Sequence, residues 1–170
     1  VGKRVRTETS ISRGAYSVSS IAIEAIRQNQ LDYFEKSICI LGAGTMGMRC
    51  LKKLHALGHP SISISNRTAQ RAETLAQTMD ATCLPFETIL DNLQQHDIIV
   101  SALSLKTPFI TAAQLPAGRH YTIIDLGLPR NADPSLVTQN HITLINVDGL
   151  KEISSQNIHR RQAELVQVNR

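Results

Sequence analysis

The 170-residue chain contains no tryptophan, and aromatic residues make up only 4% of it. Single strands of nucleic acid are held on stacks of aromatic rings, so this composition argues against that class of binder. Cysteine is scarce. Cys39, Cys50 and Cys83 form no CxxC pair, and their spacing fits no zinc signature. Cys39 lies in an apolar run, Cys50 on the apolar side of a predicted helix, and Cys83 in a short strand-like stretch. Each reads as a small core residue. Without a disulfide framework the expected compartment is reducing and cytoplasmic. No apolar run is long enough to span a bilayer, and the start has no signal-peptide core. An initiator methionine is also missing, as expected of a processed chain or a piece of a longer one. The formal charge of +4 is mild. Lys3, Arg4, Arg6 and Arg13 read as a solvated basic segment, not a DNA contact.

The length suits one domain with a real core, and the apolar fraction of 42% is ordinary. Residues 1–16 read as irregular. Ser17 is a candidate N-cap for a helix to about Leu31, with Val18, Ile21, Ala22, Ala25 and Ile26 on one face. Strands and helices then alternate. Strands are expected at 37–42, 61–65, 81–84, 97–103, 121–127 and 141–147. Helices are expected from Thr45 to Leu57, from Ala69 to Met79, from Pro85 to Gln95 and from Gly149 onward. Thr111–Leu115 and Pro134–Thr138 read as short helices or loops. Gly58 suits the position that ends the first of the inter-strand helices. Six short β-rich runs separated by helices predict a parallel sheet covered on both faces. The expected fold class is α/β, a doubly wound sheet of strand order 3-2-1-4-5-6. A connector segment and helix would occupy residues 1–34, the sheet domain 35–148, and the start of a further long helix 149–170.

Gly42, Gly44 and Gly47 form G-x-G-x-x-G at the end of the first predicted strand. Alone this is a weak signal. Between a strand and a helix it is the Rossmann dinucleotide turn. Gly42 permits the tight turn, Gly44 lets backbone approach a pyrophosphate, and Gly47 lets the helix pack close. Ala43, Thr45 and Met46 complete the loop, and the first helical turn offers free N–H groups to phosphate. Nineteen positions after Gly47, at the end of the second strand, stands Asn66. An NAD site places an acid there, which hydrogen-bonds ribose hydroxyls and would repel a 2′-phosphate. Asn66 removes that charge, and Arg67 adds a fork that matches phosphate. Thr68 adds a hydroxyl and is a candidate cap for the next helix. "SNRT" therefore predicts NADPH, the alternative being a surface arginine beside an ordinary turn.

"SALSLKTP" follows the fourth strand, where the ends of parallel strands line the ligand crevice. Ser101, Ala102, Leu103 and Ser104 are expected along the cofactor, with Ser101 and Leu103 as contacts. Asp125, Pro129 and Arg130, in "IDLGLPR", are expected on the same crevice edge. A buried Asp125 bonded to backbone is the alternative for that residue. His55, His59, His96, His120 and His141 fall at helix ends or loop edges and read as solvated. His159 lies in a polar stretch of the last helix. None is placed as a catalytic group.

Taken together, "KRVRTETSISRGAYSVSSIAIE", "ILGAGTMG", "SNRTAQRAETLA", "DIIVSALS" and "IIDLGLPRNADP" occur in the order seen in glutamyl-tRNA reductases. The chain resembles that family over essentially its whole length. "NVDGLKEISSQNIHRRQAE" is similar to the start of that family's spinal helix. The resemblance implies NADPH as reductant for converting glutamyl-tRNA to glutamate-1-semialdehyde in tetrapyrrole synthesis. It also implies a homodimeric parent protein that meets tRNA through a separate catalytic domain. The family's nucleophile is a cysteine in a Thr-Cys-Asn-Arg-type motif. This chain has Ser65 before "NRT" instead, and that stretch follows the nucleotide turn. The resemblance therefore carries over the cofactor residues and no catalytic ones. Two other readings fit the motifs: a shikimate-dehydrogenase-like NADP reductase domain and a dinucleotide-sensing module.

Overall fold

A computed structural model describes residues 18–168. The expected irregular segment 1–16 and the Ser17 cap lie outside these residues. Helix α1, residues 18–29, buries Ala22, Ile23, Ala25 and Ile26 completely or nearly so. Their i, i+3, i+4 spacing puts them on one face, which packs into the core. α1 is thus a layer of the sheet domain, tied at its end by the Gln30 amide donating to the Thr122 hydroxyl at 2.8 Å.

The strands are β1 Ile38–Leu41, β2 Ile62–Ser65, β3 Thr82–Cys83, β4 Ile98–Ser101, β5 Tyr121–Asp125 and β6 Ile142–Asn146. They form one six-stranded sheet in the order β3-β2-β1-β4-β5-β6, as expected. Every pairing is parallel. β1 and β4 are buried residue by residue, which is why they read as continuous apolar runs. Alternate side chains serve opposite faces. Ile38, Ile40, Ile62, Ile64, Ile98 and Val100 pack under α1 and the helices that follow β1 and β2. Cys39, Leu41, Ile99, Tyr121 and Ile123 fill the other face with Ile89, Leu93 and Leu136.

α2, Thr45–Ala56, buries Gly47, Cys50, Leu51 and Leu54. Gly58, at φ +77°, ends it as expected. α3, Ala69–Thr78, buries only Ala72 and Ala76. The stretch expected as one helix from Pro85 to Gln95 is broken. A 3-10 turn at Phe86–Thr88, the short α4 Ile89–Asn92 and a second 3-10 turn at Leu93–Gln95 replace it. Its two deeply buried residues, Ile89 and Leu93, still face the core. The last helix, α5 Val147–Val168, begins two residues earlier than expected. The reason is Asn146, whose amide oxygen accepts the Gly149 N–H at 3.0 Å and so caps it.

Candidate functional site

The sheet's C-terminal edge carries the glycine turn. β1 ends at Leu41, and Gly42 turns the chain with φ +107°. A Cβ on Gly42 would lie 2.5 Å from the Ala102 carbonyl oxygen. A Cβ on Gly47 would overlap the Gly42 carbonyl, so both glycines are fixed by close packing. Gly44 differs: no atom lies within 4 Å of where its Cβ would be. It is the N-cap of α2, and no side chain caps that helix. The N–H groups of the first turn lack intrahelical partners by geometry. An uncapped helix start behind a glycine with open space in front fits a bound pyrophosphate.

Asn66 does more than omit a charge. Its amide oxygen accepts the Ala43 N–H at 3.1 Å, and its Nδ2 donates to the Thr68 carbonyl at 3.1 Å. It therefore ties the glycine loop to the turn after β2. A carboxylate at 66 would keep the first bond and face the Thr68 carbonyl with negative charge. Arg67 is exposed and reaches across the crevice, its guanidinium donating to the Ser104 carbonyl at 2.9 Å. Thr68 occupies the N-cap position of α3, but its hydroxyl makes no capping bond.

Two hollows meet here. A crevice of about 210 Å³ lies between Gly42–Gly44, Asn66–Thr68 and Ala102–Ser104. A larger groove of about 720 Å³ runs between α2 and α3, past Met48 and Leu75. The smaller one holds the polar chemistry. Both share Ala43, Gly44, Thr68 and Arg71. Arg71, exposed one turn after Arg67, was not singled out from the sequence. The signal was available, since "NRTAQR" puts two guanidiniums four residues apart at a helix start.

Of the expected cofactor contacts, Gly42, Ala43, Gly44, Thr45, Asn66, Arg67, Thr68 and Leu103 line these hollows. Met46, Gly47 and Ser101 do not. Met46 packs against the core, and Gly47 is buried under the turn. Ser101 is fully buried, its hydroxyl donating to Asn131 Oδ1 at 2.7 Å. Asp125 is not on the crevice edge either, being 1% exposed. Its carboxylate accepts the N–H groups of Gly127, Asn131 and Ala132 at 2.9–3.2 Å. It is the backbone-bonded buried acid that was the alternative reading. The Leu128–Pro129 bond beside it is cis. Arg130 pairs with Asp148 at the start of α5, at 2.9 Å.

Two histidines correct the solvated expectation. His59 is 7% exposed and His96 8%. His59 Nδ1 accepts the Ser61 N–H, so its Nε2–H donates to the Tyr33 carbonyl at 2.8 Å. Burial, and then the Arg119 charge, hold His96 below the ordinary value of 6.5. Both stand at the sheet's opposite edge. Burial pushes the Cys39 and Cys50 thiols up to about 12. Partial burial and Glu73 raise Cys83. No thiol here is a ready nucleophile. Among the described residues no three His, Cys, Asp or Glu side chains gather as a metal site. No helix among them is long and apolar enough to cross a membrane.

A family model described as shikimate / quinate 5-dehydrogenase matches residues 24–153. The chain belongs to that family. Its homologues include glutamyl-tRNA reductase of Chlorobium luteolum, 38% identical over 99% of this chain and 41% of that protein. The chain thus spans about two fifths of the length of the curated relatives it matches. Glutamyl-tRNA reductase from Methanopyrus kandleri superposes with TM-score 0.77 at 30% identity, over 98% of this chain and 44% of that one. A nucleotide binding domain of glutamyl-tRNA reductase from Thermoplasma volcanium covers 85% of this chain and 96% of its own, with TM-score 0.67 and 23% identity. Family membership and fold both agree with the sequence.

Proposed function

We propose that the chain is the NADPH-binding domain of a glutamyl-tRNA reductase that forms glutamate-1-semialdehyde for tetrapyrrole synthesis. The parent protein works in the cytoplasm as a homodimer and meets glutamyl-tRNA through its catalytic domain. The observation that carries the cofactor reading is the pairing of an open Gly44 with Asn66 and Arg67 across one crevice. Similarity over 99% of the chain supports the choice of enzyme.

Bound NADPH supplies hydride for reducing an activated acyl group to an aldehyde. The chain's own residues bind and orient. The Gly42–Gly47 turn and the start of α2 take the pyrophosphate. Arg67 and Arg71 take the 2′-phosphate, where an acid would repel it. Leu103, 5% exposed, walls the crevice with an apolar side chain.

The longer protein, given charged glutamyl-tRNA and NADPH, should oxidise NADPH and release semialdehyde in equal amounts. This chain alone should bind NADPH without turnover, since its thiols are protonated or buried. Turnover by the isolated chain that survives replacement of all three cysteines by serine would overturn the thiol argument. Oxidation of shikimate with NADP⁺ by the longer protein, with glutamyl-tRNA left intact, would replace the proposal with the shikimate-type reading.

A further inference from the structure

Beyond the end of β4 the chain leaves the sheet, yet Leu103 is held as firmly as a paired residue. The Asn131 side chain supplies both bonds that a neighbouring strand would make. Its Oδ1 accepts the Leu103 N–H at 2.8 Å, and its Nδ2 donates to the Leu103 carbonyl at 3.0 Å. The Ser101 hydroxyl donates to the same oxygen. Asn131 is fully buried and is itself pinned. Its N–H goes to the Asp125 carboxylate at 2.9 Å, and its carbonyl accepts from Phe109 and Ile110. Gly127 leaves the room, since a Cβ there would overlap the Asn131 amide. One residue past Leu103 is the carbonyl of Ser104, which accepts the Arg67 guanidinium.

The pieces form a line from a buried acid to an exposed cation: Asp125, Asn131, Leu103, Ser104, Arg67. We infer that Asn131 is a positioning residue that sets the place of the Ser104 carbonyl, aims Arg67 and so sets the preference for NADPH over NADH. The inference rests on the crevice being the NADPH site. Asn131 touches no solvent and lines neither hollow. Its effect passes through backbone that it holds at two points. A residue that only stabilised the fold would weaken both cofactors together or neither. A residue that aims Arg67 changes their ratio.

The test is titration of NADPH and NADH into the chain and its variants, with circular dichroism to confirm folding. Asn131→Leu keeps the branched shape and removes all four side-chain bonds, the longest of them from Nδ2 to the Pro129 carbonyl at 3.4 Å. It should lower the NADPH-over-NADH affinity ratio by about tenfold, the scale of one charge-assisted hydrogen bond. In an Arg67→Ala background the same substitution should lower the ratio no further, since the two act through one contact. Ser101→Ala removes only the hydroxyl bond that steadies Asn131 Oδ1 and leaves both bonds to Leu103. It should lower the ratio by a smaller factor, about threefold, and it carries the test if Asn131→Leu does not fold. A ratio unchanged in the folded variants overturns the inference, as does a full tenfold drop that persists without Arg67. A wild-type chain with no preference for NADPH overturns the cofactor reading and this inference with it.

Discussion

On the β2 side of the crevice, Asn66, Arg67 and Thr68 present polar groups at the surface. On the β4–β5 side, Ser101, Asp125 and Asn131 are buried: the Ser101 hydroxyl bonds to the Asn131 amide, and Asp125 and Asn131 hold backbone. One wall faces the crevice with side chains. The other faces it with backbone that side chains hold in place. The first kind of wall tolerates substitution without unfolding and loses a specific contact. The second loses stability first, because an unmade hydrogen bond in the interior leaves a desolvated group behind.

The sharpest contrast lies within the glycine turn. Gly44→Val should abolish binding of both cofactors, by more than about 100-fold, since the side chain fills space the pyrophosphate needs. The fold should survive, because that Cβ meets nothing. Binding at wild-type strength by the folded variant would remove the pyrophosphate from this loop. Next comes the exposed wall. Arg67→Ala should cost NADPH about 10- to 150-fold in affinity, from about 1.5–3 kcal/mol for a charged hydrogen bond. NADH should be nearly unaffected, and equal loss for both would make Arg67 structural. The buried wall answers in stability. Asp125→Asn turns an amide toward backbone donors and should lower unfolding free energy by about 1.5–3 kcal/mol, read from denaturant midpoints. An unchanged midpoint would put the wall's rigidity elsewhere.

The smallest effect belongs to the far edge of the sheet, away from both walls. The folded chain holds His96 below its ordinary 6.5, so the unfolded chain takes up its proton first. Stability from this residue is complete above that value and declines as pH falls below it. His96→Phe should flatten the pH dependence of the melting temperature between about pH 5 and 7, the range set by an unperturbed histidine. A slope equal to wild type would show that other groups govern it. Asp97 lies beside it. Partial burial would raise its carboxyl, but bonds from Arg119 and Ser37 overcome that and hold it low. Its contribution is present above the ordinary carboxylate range and disappears only at lower pH.

The same contrast separates what the sequence disclosed from what it hid. The strands, the glycine turn and the exposed wall were legible because each is written in residues close in sequence, and the strand order followed from right-handed crossovers with one switch of winding. β1 and β4 are short apolar runs, Gly42 to Gly47 is a spaced motif, and Asn66–Arg67 sits at a counted distance from it. The buried wall depends on Asn131 meeting Leu103, 28 positions away. A lone asparagine after an arginine carries no sign of that meeting. Asp125 read equally well as a crevice residue or a buried acid, because the polar end of an apolar strand fits both. The histidines were misplaced for a related reason. His59 and His96 end helical segments, where solvent is usual, but Tyr33 and Arg119 fold over them from elsewhere in the chain.

The order of the strands also sets a timetable. β1 pairs with β2 on one side and with β4 on the other, and Ile38 meets Ile98. Sixty positions separate those two residues. At a synthesis rate of about 5–20 residues per second, the central strand waits about 3–12 s for its second neighbour. Through that interval the Leu41 carbonyl has not met the Ala102 N–H, and the Gly42 turn has no wall to pack on. The glycine turn, encoded within six consecutive residues, takes shape only once Ala102, sixty positions after Gly42, has been made.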